Sequence, residues 1–128
     1  MNNCIKIKNI NKKYEKNKTI KVLNDISFNF LSGKIYSIVG PSGSGKSTLL
    51  NLLSLIDTPS SGSIEFNNRK INFDNKIEND FIRSKNIGII YQDKNLLTDF
   101  SAIENIYLPN LLLSNNTIAS INLAKKII

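Results

Sequence analysis

The chain has 128 residues, the length of one ordinary domain, and its 41% hydrophobic and 21% charged residues exclude a disordered polymer and leave enough apolar material for one buried core. Cys4 is the only cysteine, which excludes an internal disulfide or a cysteine metal cluster and fits a reducing, cytoplasmic location. The formal charge is +7, but Ile, Asn and Lys are abundant along the whole chain, so the excess reads as a compositional bias and no nucleic-acid partner is expected.

In chain order, "NCIKIKNI" places Ile5 and Ile7 on one face with lysines opposite, the period-two pattern of a half-buried strand. A polar, lysine-rich turn containing Tyr14 follows. "TIKVLNDISFNF" alternates through Ile20 and Val22, then through Ile26, Phe28 and Phe30, which predicts two further strands joined near Asn24 and Asp25. The first thirty residues thus read mostly as antiparallel sheet. Met1 to Ile10 lacks the basic-then-apolar order of a signal peptide, and no apolar run approaches the roughly eighteen residues of a membrane helix.

Ser32 and Gly33 form a turn, and "KIYSIV" is a β-branched strand candidate that feeds into "GPSGSGKSTLL". A helix is predicted next, with Leu49, Leu52, Leu53 and Ile56 at helical spacing, ended by "DTPSSG". "SIEF" is a short strand and "NN" a turn. "NKIENDFIRS" fits a helix with Ile77, Phe81 and Ile82 inward, and "IGIIYQ" is another apolar strand candidate. Ser101 and Glu104 have capping-box spacing, so a helix starts there and is expected to break before Pro109. The final "TIASINLAKKII" puts Ile118, Ile121 and Ile128 roughly on one face, without the glycine or proline that commonly closes a helix. There is no internal repeat.

Gly40, Gly45, Lys46 and Ser47 satisfy G-x-x-x-x-G-K-S/T. Glycines let successive backbone N–H groups turn inward as a nest for phosphate oxygens, and the helix that follows adds the positive potential of its unsatisfied N-terminal donors. In such a loop Lys46 reaches the β and γ phosphates, Ser47 ligates Mg²⁺, and Thr48 adds its N–H and hydroxyl. The four fixed positions match by chance at on the order of one site in ten thousand or fewer. The match also falls between a predicted strand and a predicted helix, the context the motif requires.

With thirty-nine residues of antiparallel pattern ahead of the loop, the chain resembles the first half of the ATP-binding subunit of an ABC transporter. The residues that carry the likeness are "KKYEK", "VLNDISFNFLSGKIYSIVGPSGSGKSTLLNLL", "PSSGSIEFNN" and "NIGIIYQDKNLL". "LLTDFSAIENIYLP" is most similar to the branch that includes lipoprotein-releasing and macrolide-export ATPases. The resemblance implies an α/β phosphate-loop NTPase fold of ABC type over residues 1–128, with an antiparallel β subdomain and an incomplete parallel core. It implies Tyr14 as the aromatic that stacks on adenine, and Gly40, Pro41, Ser42, Gly43, Ser44, Gly45, Lys46, Ser47 and Thr48 as the phosphate cradle. Gln92 matches the family's Q-loop glutamine, which contacts Mg²⁺ and the attacking water and senses the transmembrane permease. ATP and Mg²⁺ are the implied cofactors, two ATP-binding subunits pair in the intact assembly, and the subunit sits on the cytoplasmic face of the inner membrane through its partner. Asn68, in place of a common glycine, and Thr98, in place of a common proline, depart from the branch pattern.

Phosphoryl transfer to water also needs a metal-holding acid, a water-positioning group and cations on the developing charge. In the family these come from an apolar strand ending in Asp-Glu, an "LSGGQ" signature loop and a switch histidine; the chain has no histidine. "LLSLID", ending in Asp57, is expected to continue the helix after the phosphate loop and so to lie away from the metal, and "LSG" at 31–33 precedes the loop instead of following Gln92. The expectation is a chain that stops within the helical subdomain, exposes apolar surface, binds Mg-ATP weakly and does not hydrolyse it. The alternatives are a nucleoside monophosphate kinase-like enzyme, against which the antiparallel prelude and "YQDKNLL" count, and a non-catalytic nucleotide-binding module or a nucleic-acid ABC-type ATPase.

Overall fold

A computed structural model describes residues 3–15, 18–93 and 95–128. The chain divides into two compact units, Met1–Arg83 and Ser84–Ile128. In the first, strands β1 (Asn3–Glu15), β2 (Thr19–Leu31), β3 (Ser61–Phe66) and β4 (Arg69–Lys70) form one antiparallel sheet in the order β2-β1-β3-β4. Helix α1 (Lys46–Leu53) lies between β2 and β3 in the chain, and α2 (Lys76–Asn86) follows β4.

The expected strand break near Asn24 and Asp25 is instead a bulge inside one thirteen-residue strand. Asp25 and Asn9 both take positive φ, 53° and 50°, conformations that short polar side chains tolerate. The two irregularities are tied together: Asn9 Nδ2 donates to Asp25 Oδ1 at 2.7 Å, Asp25 N to Asn11 Oδ1 at 3.1 Å, and Asn9 N to Ser27 Oγ at 2.8 Å. An extra residue shifts the in–out phase of a strand, which is why Ile7 and Ile10, of opposite parity, are both buried. Gly62 opens β3 against this bulge at φ 98°, where a Cβ would stand 2.4 Å from the Asn9 carbonyl oxygen; only glycine fits that approach.

β1 runs through Glu15, so Tyr14 is a strand residue and not part of a turn; Lys16 and Asn17 of the expected turn lie outside the described residues. Ile7 pairs with Ile64 across β1 and β3, and with Ile10, Leu23, Leu52, Leu53, Leu55, Phe66 and Ile71 these form the buried core of the first unit. Each such side chain contributes roughly 1.5–3 kcal/mol of transfer free energy. Asn67 and Asn68 turn β3 into β4, both at positive φ, as a two-residue hairpin requires, so Asn68 does the work of the glycine it replaces.

Two predicted strands are not formed. Residues 34–40 and 87–91 join no ladder, and the described sheet has no parallel pair. A strand exists only by pairing, and these apolar runs lack a neighbour: Ile35, Val39 and Ile90 are 99%, 87% and 101% exposed. The helix after the phosphate loop ends at Leu53, earlier than expected, because Ser54 Oγ turns back on the Leu50 carbonyl at 2.7 Å and Leu55 takes φ 57°; Ile56 is consequently exposed. On α2 the inward face is corrected in part, Ile82 being half-buried as expected. Asn79 is buried, donating to the Asn72 carbonyl at 2.9 Å, while Ile77 and Phe81 are exposed.

The second unit holds α3 (Ala102–Ser114) and α4 (Thr117–Ala124). The Ser101–Glu104 capping box starts α3 as expected, but the helix continues through Pro109 to Ser114 and closes on Asn115 in the left-handed region. α4 buries Ser120 and Ala124 most deeply, with Ile121 half-buried and Ile118 exposed; Ile128 lies beyond the helix and is exposed, so the three isoleucines do not form one inward face. Ser120 Oγ is satisfied by Asn110 Oδ1 and the Asn116 carbonyl, each at 2.8 Å. Among the described residues no helix is long and apolar enough to cross a membrane.

Candidate nucleotide site

The phosphate loop, Gly40 to Thr48, bends from the unpaired run 34–39 into α1. Ser44 N donates to the Pro41 carbonyl at 3.3 Å, and Leu49 N makes the first helical bond to Gly45 O at 2.9 Å. Gly45 is the N-cap, at φ 89°, and a Cβ there would meet Leu23 Cδ2 at 2.9 Å and the Val22 carbonyl oxygen at 3.1 Å, so a glycine is needed for the loop to settle against β2. A glycine N-cap carries no acceptor, and the first turn of α1 holds no acid. The helix therefore starts with amide donors that no side chain of its own caps and with nothing anionic to repel a phosphate.

Lys46 Nζ folds over this bend and donates to Gly40 O at 2.8 Å and Pro41 O at 2.7 Å, with Ser44 Oγ at 3.4 Å. Its charge is thereby held over the concave side of the loop. Ser42, Gly43 and Ser47 are exposed, and Thr48 is half-buried.

Tyr14 stands in a second cluster of the same unit. Its hydroxyl donates to Asp57 Oδ2 at 2.9 Å, and Lys12 Nζ lies 4.8 Å from its ring centroid. Lys12 is itself buried and donates to Asp57 Oδ1 at 2.6 Å and to the Thr58 carbonyl at 2.7 Å. Burial pushes the Asp57 carboxyl up, but hydrogen bonds from Lys12, Tyr14 and the Thr58 N–H, with the Lys12 charge, outweigh it and hold the group below the usual carboxylate range. Asp57 is thus not a helix residue, as the sequence suggested; it follows the end of α1 in a bend and returns to β1. Nothing in the linear spacing signals that meeting, since 43 residues separate it from Tyr14.

Gln92 is exposed in the second unit, ahead of a loop organised by a residue that sequence reasoning passed over. Asn105 on α3 accepts from Leu97 N at 2.8 Å and donates to the carbonyls of Leu97, Phe100 and Ser101 at 3.0–3.1 Å. Glu104 accepts from the Ser101 hydroxyl and from the Ser101 N–H, and these bonds hold its carboxyl below the usual range. Arg83 is structural: Nη1 donates to the Leu55 carbonyl at 3.0 Å and Nη2 to Asp80 at 2.8 Å.

Among the described residues no three His, Cys, Asp or Glu side chains gather as a metal cage. A magnesium ion carried on a triphosphate needs no such cage, because phosphate oxygens and waters fill most of its shell and one or two protein oxygens complete it. The exposed Ser47 hydroxyl, at the start of α1, is a hard oxygen donor of the required kind; Gln92 lies in the other unit.

A glycine-relieved bend, a lysine over it and an uncapped helix behind it define a phosphate-binding loop of the NTPase type. The comparison with known proteins goes further: the family description "ABC transporter" matches residues 23–127, and the chain belongs to that family. It is 44% identical over 131 residues to the lipoprotein-releasing system ATP-binding protein LolD of Wigglesworthia glossinidia brevipalpis, covering 100% of this chain and 57% of that protein. It is 39% identical over 128 residues to LolD of Rickettsia bellii (strain RML369-C), covering 99% and 56%. The chain thus spans a little over half the length of these curated relatives.

Among solved structures, the dimeric post-hydrolysis state of the ATP-binding cassette MJ0796 bound to ADP and Pi superposes with a TM-score of 0.87 at 33% identity, covering 95% of this chain and 54% of that one. The cbiO1 component of the cbiONQ ABC transporter complex from Clostridium perfringens gives 0.75 at 27% identity, over 95% and 47%. The fold is that of an ABC ATPase cassette, with its antiparallel sheet and the helix behind the phosphate loop.

Proposed function

We propose that these residues are the nucleotide-binding part of an ATP-binding subunit of an ABC transporter of the lipoprotein-releasing branch. The observation that carries the reading is the Gly40–Thr48 bend, with Gly45 locked against β2 and Lys46 held over the loop. Gly40, Pro41, Ser42, Gly43, Ser44 and Gly45 offer backbone donors to the phosphates of ATP, Lys46 supplies positive charge, and Thr48 contributes its N–H and hydroxyl. Tyr14 offers a ring face to adenine. Ser47 would offer its hydroxyl to Mg²⁺, which when bound neutralises phosphate charge, and Gln92 is read as a metal ligand from the resemblance of its segment to the family's Q-loop.

In the whole assembly a second copy and a transmembrane permease complete the machine, the permease being sensed through the Gln92 region, and the subunit rests on the cytoplasmic face of the inner membrane. The branch rests on the likeness to LolD proteins; domain 1–128 is one partial nucleotide-binding domain of that type. The chain by itself binds Mg-ATP weakly and releases no phosphate, because an acid on a strand end, a signature loop and a switch histidine do not occur in its sequence. Calorimetric titration of the pure chain with Mg-ATP and with Mg-tripolyphosphate tests the site. Binding of both, abolished or strongly reduced by Lys46→Ala, supports it; magnesium-dependent phosphate release that Lys46→Ala removes would overturn the claim of no turnover.

A further inference from the structure

Lys12, Tyr14, Asp57 and Thr58 come from β1 and from the bend after α1, and their contacts are reciprocal. One carboxylate takes a proton donor on each oxygen: the Lys12 ammonium on Oδ1 and the Tyr14 hydroxyl on Oδ2. The Thr58 N–H also donates to Oδ1 at 2.7 Å, so the carboxylate is fixed by its own backbone before it fixes anything else. Ser60 Oγ accepts from Lys13 N at 2.9 Å, and Ser60 N donates to the Asn11 carbonyl at 2.8 Å, which fastens the same bend along β1.

The consequence for Tyr14 is geometric. A tyrosine on a strand edge normally turns about two side-chain torsions, but this ring is held at its hydroxyl by Asp57 and covered on one face by the Lys12 ammonium. Tyr14 as a whole is 38% exposed, so part of the ring stays accessible beside the Lys12 contact. Lys12 is 8% exposed, and a buried ammonium persists only when it is paired, so Asp57 also keeps the cation in its place behind the ring.

We propose that Asp57 is a positioning residue for base recognition: through the Tyr14 hydroxyl and the Lys12 ammonium it pre-orients the Tyr14 ring so that a single face is open to a purine. The proposal rests on the reading of Tyr14 as the base platform. A ring fixed before binding loses less side-chain entropy on binding, and that saving goes to ligands that carry a base and to no others.

The test compares Mg-ATP with Mg-tripolyphosphate, which shares the phosphates and lacks the base, on the 128-residue chain and three variants, by calorimetry. Asp57→Asn is expected to weaken ATP about two- to tenfold, the worth of an ordinary hydrogen bond because only the orientation of the ring is lost, and to leave tripolyphosphate unchanged. Tyr14→Phe keeps the ring and the fold while removing the hydroxyl, and is expected to move the ATP-to-tripolyphosphate ratio in the same direction by less. Tyr14→Ala reports on the platform itself. If Tyr14→Ala lowers the ratio while Asp57→Asn and Tyr14→Phe leave it at the wild-type value, the positioning role is wrong and the platform stands. If Tyr14→Ala leaves the ratio unchanged, the platform reading fails and takes the proposal with it. Equal weakening of both probes by Asp57→Asn would show a structural role only and likewise overturn the proposal.

Discussion

The two ends of the proposed nucleotide site are built by opposite means. The phosphate end is nine consecutive residues, Gly40 to Thr48, and it works through backbone donors, one lysine and the start of one helix. The base end is assembled across the fold from side chains on β1 and on the bend after α1, 43 to 46 residues apart in the chain. A local device survives wherever its own residues keep their conformation; a tertiary device depends on the sheet that brings its parts together. The contrast implies that the two ends respond to different mutations and that ligands with and without a base will tell them apart.

The largest loss is expected where the sheet itself is forced open. Gly62→Ala puts a Cβ 2.4 Å from the Asn9 carbonyl oxygen at φ 98°, so β3 or the β1 bulge must move. The cost is on the order of 3 kcal/mol, read as a lower urea midpoint. Because Asn9 and Asn11 lie on the strand that carries Lys12 and Tyr14, discrimination between ATP and tripolyphosphate should fall with it. An unchanged midpoint would mean that the bulge yields freely and that the base end is less dependent on the sheet than argued.

Lys46→Ala strikes the other end. Charge-assisted hydrogen bonds to phosphate are worth about 1.5–3 kcal/mol, so both probes should weaken roughly ten- to a hundredfold, and by the same factor. A loss confined to ATP would contradict the division of labour. Asn105→Ala is the contrast to both: it removes four hydrogen bonds that organise residues 97–101 in the second unit. It is expected to cost about 1 kcal/mol locally, seen as faster amide exchange at Leu97, with neither probe's affinity changed.

The same contrast explains what could be read without coordinates. The loop was legible because its geometry is written in adjacent residues whose types are few: glycine for the bend and lysine to fold back over it. The capping box at Ser101 and the turn at Asn67–Asn68 were legible for the same reason, while the short strand β4 after that turn was not. Asp57 was not, because its partners are set by how far α1 runs before Ser54 turns back, a difference of a few residues that hydrophobic spacing does not resolve. Asn24–Asp25 looked like a turn because a bulge and a turn share the short polar residues that tolerate positive φ. The runs 34–39 and 87–91 have the apolar pattern of buried parallel strands, but pattern states only a capacity to pair, and among the described residues they have no partner.

The smallest expected effect follows from the carboxyl at the centre of the base end. The Asp57 carboxyl is raised by burial and lowered more by its bonds from Lys12, Tyr14 and Thr58, so its folded value lies below the unfolded one of about 3.9. A carboxyl depressed by folding contributes stability above its unfolded pKa, and the contribution disappears as pH falls through the folded value. Wild type should therefore be more stable than Asp57→Asn near neutral pH, and the difference in thermal midpoint should shrink as pH falls below the unfolded carboxyl value and through the lower folded one. Glu104 is depressed in the same direction by its Ser101 bonds but lies in the second unit, so its acid response should persist in the Asp57→Asn chain. The change should also appear in the probes: acidification protonates the adenine ring in both proteins, but the ATP-to-tripolyphosphate preference should fall further in the wild type than in Asp57→Asn, which is already without the carboxylate. A ratio that falls equally in both would assign the pH response to some other group and separate the base end from Asp57.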